Sequence, residues 1–451
     1  MTPNRVPSEL KTHTPSVFLF WVPLAAQWLM MASEGPFLAA IIARLGEPTY
    51  NLAAYGIAFA FAILIESPVI MLMSASTALA RDRAAYLKLR KFMHALNALS
   101  TGLLLFVLFP PVYHFLTDTL LQLPEEVANL TYGALWILLP WPAAIGYRRF
   151  IHGLLIRSGR TRLVALGTLV RLGTMASTAV ILYIFFELPG AWVGTSSLSI
   201  AVCIEALIAR LMATQTIREL LAFDPKRTTG ERNLGYRGII NFYYPLALTS
   251  MIGLTVQPLL TFLMGQASEP IKSLAVFPVV YSLSFLFRSF GLSYQEAALA
   301  LLGNNNERLP ELTKFAIWLS MWTTVALGLV AFTPLSIVWF ETVSGLSPGL
   351  ATFALIPVKI LVPIPVLSVL LSLERAILMQ AHKTHPITVA TAIEVISIAL
   401  LFIIFGWKME LIGVTAAFLS FLGGRLAGVL YLTRSSLKIV LKARNKNLSG
   451  I

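Results

Sequence analysis

Charged side chains stand inside the longest apolar stretches of this 451-residue chain, where a charge is costly. The acids are Glu34, Glu66, Glu205, Glu296, Glu374 and Glu394. The bases are Arg171, Arg210, Arg288, Lys359 and Arg425, with Arg148 and Arg149 near the end of one stretch. A charged group at the centre of a bilayer costs about 3 kcal/mol even on mild scales, so it faces a partner or a watery cavity. These residues therefore predict ion pairing, proton or cation binding, and contact with a charged small molecule.

Motifs for other chemistry are absent from the sequence. It contains no phosphate-binding loop, no dinucleotide-binding fingerprint and no metal-ligand spacing among its six histidines. Its one cysteine, Cys203, cannot form a disulfide within the chain. We therefore predict a protein that is not an enzyme and has no cofactor, with H⁺ or Na⁺ as possible coupling ions.

The composition indicates that most of the chain lies in a bilayer. Hydrophobic residues make up 57% and charged residues only 12%, against about 25% charged in soluble domains, and the mean hydropathy is +0.78. A membrane helix needs about 20 apolar residues. Twelve windows meet this requirement, near 17–43, 51–80, 93–117, 129–156, 163–186, 195–217, 237–265, 270–302, 313–340, 348–380, 386–406 and 409–433. The fold class predicted is an all-α integral membrane protein with 12 transmembrane helices, the first of them retained rather than cleaved.

The basic residues of the connections predict the orientation. With a cytoplasmic N-terminus, 24 lysines and arginines fall on the cytoplasmic side, and only Arg44, Lys272 and Lys408 fall outside. This asymmetry follows the positive-inside rule and places both termini in the cytoplasm. The net charge of +13 thus reflects topology and attraction to membrane lipid, so no nucleic-acid partner is predicted. We expect a monomer in the plasma (inner) membrane.

The two halves of the chain repeat each other at a nearly constant shift. Residues 20–25 (FWVPLA) match 242–247 (FYYPLA), and Pro140-Trp141-Pro142 matches Pro363-Ile364-Pro365. The predicted units are a first six-helix lobe at 1–222, a cytoplasmic linker at 223–236, a second six-helix lobe at 237–440 and a basic tail at 441–451.

Six helices are an even number, so both halves enter the membrane from the same side and the repeat is parallel. In transporters built this way, substrate sites lie where the halves meet. Prolines inside membrane helices free backbone carbonyls and bend the helix. Because they are paired between the halves, we predict hinges at Pro36, Pro258, Pro142 and Pro365.

Two pairs of equivalent positions carry opposite charges. Glu66 corresponds to Arg288, and Arg171 corresponds to Glu394. One hypothesis is that such a couple pairs across the lobe interface as a gate or a substrate-competed ion pair. The alternative is that each charge pairs within its own half, as Glu205 and Arg210 would on one helix.

Three further features concern individual positions. Glu34, two residues before Pro36, is a candidate proton or cation site. Lys359, in a proline-interrupted stretch, either contacts an anion or extends toward the outer interface. Gly424 and Gly428 predict a close helix–helix contact.

Several stretches resemble a known superfamily. Twelve helices in two parallel halves are similar to the multidrug/oligosaccharidyl-lipid/polysaccharide (MOP) exporters, which include the MATE transporters and lipid-linked precursor flippases. Residues 242–248 (FYYPLAL), 275–279 (AVFPV), 356–360 (IPVKI) and 363–366 (PIPV) resemble the progressive ankylosis protein family within it. The long acidic C-terminal tail of the animal members of that family has no counterpart here.

The resemblance implies two lobes around a central cleft and alternating access. Animal members of the ankylosis family are associated with export of citrate, nucleotides and pyrophosphate, which agrees with Arg288 and Lys359 as anion contacts. MATE exporters instead take organic cations with proton or sodium coupling, and Glu34 and Glu66 would serve that function. A lipid-linked saccharide flippase is the third alternative. We predict a secondary transporter exporting a small organic anion, with Arg288, Lys359, Glu66 and Glu34 contacting substrate.

Overall fold

The structure is a computed structural model that describes residues 16–222, 235–303, 307–381, 383 and 385–448. In these ranges the chain is helical, and the single β-bridge joins Ser268 and Ile412. Nearly all of the predicted linker lies outside the described residues, and its last position, Tyr236, already begins a helix. The predicted tail continues the last helix as far as Leu448.

The helices of the first half follow one another with short connections. Their bounds are α1 Val17–Ala43, α2 Pro48–Glu66, α3 Leu72–Leu79, α4 Arg83–Leu108, α5 Pro110–His114, α6 Glu125–Ile137, α7 Trp141–Arg157, α8 Thr161–Phe185, α9 Gly190–Met212 and α10 Thr214–Ala222. A π-helical segment, Phe115–Leu120, follows α5 directly.

The second half has the same arrangement. Its helices are α11 Tyr236–Leu254, α12 Val256–Met264, α13 Pro270–Leu301, α14 Leu309–Phe332, α15 Leu335–Ile337, α16 Pro348–Ile360, α17 Ile364–Gln380, α18 His385–Phe402 and α19 Gly413–Leu448. Two π-helical segments, Val338–Val343 and Ile403–Lys408, follow α15 and α18.

The lengths and apolar character of these helices show an integral membrane protein. In the described part of the chain, nine helical spans are long and apolar enough to cross a bilayer, and two bent helix pairs raise the number to eleven. The predicted twelfth span corresponds to α6 and α7, where Arg148, Arg149 and Arg157 lower the hydropathy. Twelve crossings and the cytoplasmic location of both termini stay predictions.

The outer surface of the bundle is apolar, as contact with lipid requires. Large hydrophobic side chains project from the exposed faces of α8 and α14; they include Leu166, Leu169, Ile181, Ile184, Ile317, Trp318, Met321, Trp322 and Leu329. Soluble proteins rarely expose large apolar patches, so these faces suit contact with lipid.

Two pairs of corresponding helices in the two halves begin and end at equivalent positions of the internal repeat. Helices α7 and α17 are equal in length, as are α6 and α16, and both pairs are separated by the same offset along the chain. The π-helical segments Phe115–Leu120 and Val338–Val343 are separated by that offset too. The halves are therefore built on one plan, down to their irregular segments.

The plan differs between the halves at two places. The first half interrupts its second span between α2 and α3, around Pro68, whereas α13 runs unbroken past the equivalent Phe290. Proline lacks the N–H that an unbroken helix would use. Conversely, α1 is continuous, while its counterpart is divided at Thr255 into α11 and α12.

The halves meet chiefly along α13, which packs against both α1 and α2. The indole N–H of Trp21 on α1 donates to Ser293 Oγ on α13 at 2.9 Å. Farther along α1, a Cβ atom on Gly35 would lie 2.8 Å from Cβ of Ser282, so only glycine permits this approach. Helix α1 thus belongs to the first half by sequence and packs extensively on the second.

Candidate functional site: two buried charge clusters

A network of charges lies inside the first half, between α1, α7, α8 and α9. Glu205 on α9 is at its centre, with a side chain that is 0% exposed. Arg148 Nη1 donates to Glu205 Oε2 at 2.7 Å. Arg171 Nε lies 3.4 Å from the same oxygen, and the Arg171 guanidinium also donates to Glu34 on α1. We call Glu34, Arg148, His152, Arg171 and Glu205 the first-half network.

Two neighbouring atoms of the first-half network have no hydrogen-bond partner in the described part of the chain. His152 Nε2 and Glu205 Oε1 are 3.9 Å apart, and both atoms are buried without a hydrogen-bond partner in the described part of the chain. Gly167 faces both, and a Cβ atom there would lie 3.3 Å from His152 Nε2 and 3.7 Å from Glu205 Oε1. The His152 ring and the Glu205 carboxylate are therefore buried neighbours that are not hydrogen-bonded to each other.

Glu66 has its partner in its own half. It ends α2 and accepts a hydrogen bond from the indole N–H of Trp141 at the start of α7. Its residue surface is 8% exposed, and it forms no ion pair with the residues described.

A second group of charges lies inside the second half, between α13, α17, α18 and α19. Arg425 and Glu394 form an ion pair, with 2.9 Å between Nη2 and Oε1. Glu374 accepts a hydrogen bond from Thr433 at 2.5 Å, and Arg375 lies 3.5 Å from the Thr391 hydroxyl. We call Arg288, Glu374, Arg375, Glu394 and Arg425 the second-half cluster.

Arg288 differs from the other members of this cluster. Its guanidinium lies 5.2 Å from the ring centres of Tyr281 and Phe421 and 5.5 Å from that of Phe285. It forms no ion pair with any described residue, and its Nη1 is buried without a hydrogen-bond partner. Aromatic faces stabilise a cation but leave the N–H donors of the guanidinium available to an anion.

The two clusters differ in formal charge. In the first-half network, Arg148 and Arg171 face Glu34 and Glu205, and those formal charges balance. In the second-half cluster, three arginines face two glutamates. The buried region around Arg288 therefore has one excess positive charge.

The structure does not bring together the predicted cross-lobe couples. Arg171 pairs with Glu34 and Glu205, and Glu394 pairs with Arg425, each within its own half. Glu66 and Arg288 likewise have separate surroundings. The alternative of pairing within each half describes this structure, and pairing across the lobes stays a prediction for another conformation.

Two further predictions have different outcomes. The prediction that Glu205 and Arg210 compensate each other's charge was wrong. Glu205 binds Arg148, and Arg210 donates to Thr214 at 3.3 Å. The close contact predicted at Gly424 is confirmed, since a Cβ atom there would lie 2.4 Å from the Ile398 side chain on α18.

Lys359 lies away from both charge clusters. Its side chain is exposed on α16, and its Nζ is 5.9 Å from the ring centre of Phe332, which is 65% exposed. Of the two alternatives predicted for Lys359, this placement agrees with the one in which its ammonium extends toward the membrane interface.

The four predicted hinge prolines occupy two kinds of position. Pro142 and Pro365 stand second in α7 and α17, just after a break in the helix, and α16 and α17 are bent by 43°. Pro258 lies in the first turn of α12, after the division at Thr255. Pro36 lies inside the continuous α1. Hinge motion at these sites stays a prediction.

The pairing of Arg148 with Glu205 was not predicted from the sequence. These residues are distant in the chain and stand on different helices, and hydropathy indicates only that both are buried. Among the described residues, no group of three or more His, Cys, Asp or Glu is arranged to hold a metal ion.

Comparison with solved structures reveals a known fold. A multidrug resistance MATE family transporter of the MOP superfamily, in an inward-facing conformation, superposes with a TM-score of 0.69 at 13% identity, over 95% of this chain and 99% of that chain. The lipid II flippase MurJ, in an inward closed conformation, gives 0.67 at 16% identity, over 94% and 90%. An outward-facing MATE family transporter gives 0.64 at 13% identity, over 96% and 100%.

These likenesses establish a MATE-like fold, which is the fold that the sequence predicted. No family model matches the chain, and none of the curated proteins matches it. The closer resemblance to the progressive ankylosis proteins stays a prediction.

Proposed function

We propose that this protein is a secondary transporter that exports a small organic anion by alternating access between its two halves. The observation that carries the proposal is Arg288, a half-buried guanidinium on the helix where the halves meet, with no carboxylate partner among the described residues. Citrate-like, nucleotide-like or pyrophosphate-like anions offer the acceptor oxygens that such a group binds.

The ion pairs of the acidic residues favour an anionic substrate over a cationic one. Glu34, Glu205 and Glu394 each contact an arginine, so their negative charge is already compensated. An organic cation would have to displace an arginine from a buried pair, which is costly. An anion at Arg288 would instead compensate the excess positive charge of the second-half cluster.

The charges at the two ends of the molecule support export. In the predicted orientation the cytoplasmic connections are strongly basic. The outer connections carry eight acids and three bases; the acids are Glu47, Asp118, Glu125, Glu126, Glu187, Glu269, Glu341 and Glu410. A basic entrance raises the local concentration of an anion and an acidic exit lowers it, so rebinding from outside is disfavoured.

The proposal is tested in proteoliposomes with labelled citrate or ATP as the anion and ethidium as the cation. Arg288→Ala should lower anion transport by about tenfold or more, since a hydrogen bond to a charged group contributes roughly 1.5–3 kcal/mol. Arg210→Ala is the matched control, because Arg210 donates to Thr214 and stands outside both clusters. Wild-type transport of citrate and ATP by the Arg288→Ala variant would refute the anion site.

A cation exporter is the second candidate, and two acids favour it. Glu66 and Glu296 accept hydrogen bonds from Trp141 and Trp28 and form no ion pair in the described part of the chain. If ethidium moves against a proton or sodium gradient, and Glu66→Gln abolishes that movement while Arg288→Ala does not, this second function replaces the first.

A further inference from the structure

The two halves are joined at the end of the molecule where α1 ends by a repeated pair of hydrogen-bonded contacts. Arg44 caps α1, and its Nη2 donates to the carbonyl oxygens of Thr342 and Val343 in the other half, at 2.5 and 3.0 Å. Gln266, just after α12, donates through Nε2 to the Leu120 carbonyl oxygen of the first half at 2.5 Å.

The donors and acceptors are equivalent in the two halves. Arg44 and Gln266 occupy matching positions of the repeat. Their acceptors, Val343 and Leu120, end the two equivalent π-helical segments. Each half therefore offers one donor to the irregular segment of the other, in a nearly twofold arrangement.

The position of these carbonyl oxygens at the end of a helical segment explains why they are available. In a π-helix the N–H bonds to the carbonyl five residues earlier, as in Leu121 to Leu116 and Ser344 to Trp339. The carbonyl groups at the end of each segment then have no following helical N–H to accept from. A side chain from the opposite half satisfies them instead.

Close approach at both contacts depends on glycine. Gly345 has a φ of +73°, and a Cβ atom there would lie 2.8 Å from Arg44 Nη1. A Cβ atom on Gly265, beside Gln266, would lie 3.0 Å from the Leu121 carbonyl oxygen. Both contacts are thus tightly fitted.

We propose that Arg44 and Gln266 are a two-part latch that holds the halves closed at this end, which is the outer end in the predicted orientation. Opening toward that side requires both contacts to separate. Arg44 is the stronger part because it is charged and binds two carbonyl oxygens, while Gln266 is neutral and binds one. The latch rests on the proposed alternating access.

The first test measures opening without any substrate. In a Cys203→Ser background, Ser282→Cys places a single thiol between α1 and α13, where Ser282 is 9% exposed. A membrane-impermeant maleimide is then applied from either side of the reconstituted protein. Arg44→Ala should raise the labelling rate from the side on which α1 ends by about fivefold or more, the factor that one net hydrogen bond represents. Gln266→Ala should raise it less.

The controls separate a latch from a structural role. Lys408→Ala removes an exposed basic residue from the same end whose side chain forms no ion pair in the described ranges, and it should leave the rate unchanged. A merely destabilised variant would label faster from both sides. Unchanged labelling in both Arg44→Ala and Gln266→Ala, or equal acceleration from both sides, would overturn the proposal.

A distance measurement provides a second readout. Spin labels at Glu187→Cys and Glu410→Cys, equivalent positions in the connections before α9 and α19, report the separation of the halves at this end. Arg44→Ala should shift the distance distribution to longer values. Because no transported molecule is involved, loss of anion specificity would refute the proposed substrate without affecting the latch.

Discussion

Gly56 and Pro278 touch each other where α2 packs against α13, and they occupy equivalent positions of the repeat. A Cβ atom on Gly56 would lie 3.4 Å from Cγ of Pro278. Equivalent residues meet only near the axis that relates the two halves, so the axis passes through this contact. Glu66 and Arg288 lie about ten residues farther along the two helices, roughly 15 Å away. Glu66 accepts a hydrogen bond from Trp141 of its own half, and Arg288 lies against the Phe421 ring of its own half.

The packing of α1 on α13 predicts the effect of a single methyl group. Gly35→Ala should destabilise the protein by about 1–3 kcal/mol, since its Cβ would overlap Cβ of Ser282. Ser282→Gly in the same chain should restore stability. Thermal unfolding in detergent, followed by tryptophan fluorescence, measures both. Gly56→Ala is the control and should be nearly neutral, because its contacts are at ordinary distances; equal stability of Gly35→Ala and wild type would refute this packing.

The first-half network predicts a large cost for losing one carboxylate. Glu205→Gln should destabilise the fold by about 3–5 kcal/mol, because it leaves Arg148 and Arg171 buried without their common partner. Glu219→Gln is the matched control: Glu219 is 53% exposed and pairs with Arg160 at 2.8 Å, so its loss should cost about 1 kcal/mol or less. Folded yield and unfolding temperature report both, and a similar small loss for the two variants would contradict the buried network.

Charge exchange distinguishes pairing within a half from pairing across the lobes. Glu394→Arg combined with Arg425→Glu should recover the stability that either change alone removes, since the two side chains lie 2.9 Å apart. The double variant Arg171→Glu with Glu394→Arg should not recover stability, because each reversed charge would face a like charge in its own half. Recovery of transport in this second double variant would instead show that the couple forms in another conformation.

Equivalent side chains cap the N-terminal ends of equivalent helices. Asn51 Oδ1 accepts from the Ala191 N–H at 2.9 Å at the start of α9, and Ser273 Oγ accepts from the Val414 N–H at 3.1 Å at the start of α19. Asn51→Ala or Ser273→Ala leaves a buried N–H without an acceptor, so each should cost about 1–3 kcal/mol. Asn51→Ser should retain part of the cap. Chemical unfolding is the measurement, and a neutral effect of both alanine variants would exclude the capping role.

The sequence by itself determined the helices and their repetition. Hydropathy along the chain is enough to locate apolar spans, because the bilayer requires a minimum apolar length from each helix. The nearly constant shift between the halves then predicts corresponding boundaries, as Trp141–Arg157 and Ile364–Gln380 show. Hydropathy does not identify the span that contains Arg148, because it counts this arginine as polar and does not register its buried partner Glu205.

Only the tertiary structure decided which charges meet. The partner of a buried charge depends on how each helix is rotated and which neighbour it packs against, and both depend on contacts between residues distant in the chain. Arg171 meets Glu34 on α1, although equivalence in the repeat matched it with Glu394. Likewise, Arg44 reaches Thr342 only because α1 ends against the other half. The sequence shows that these charges need partners, and the packing of the helices determines which partners they have.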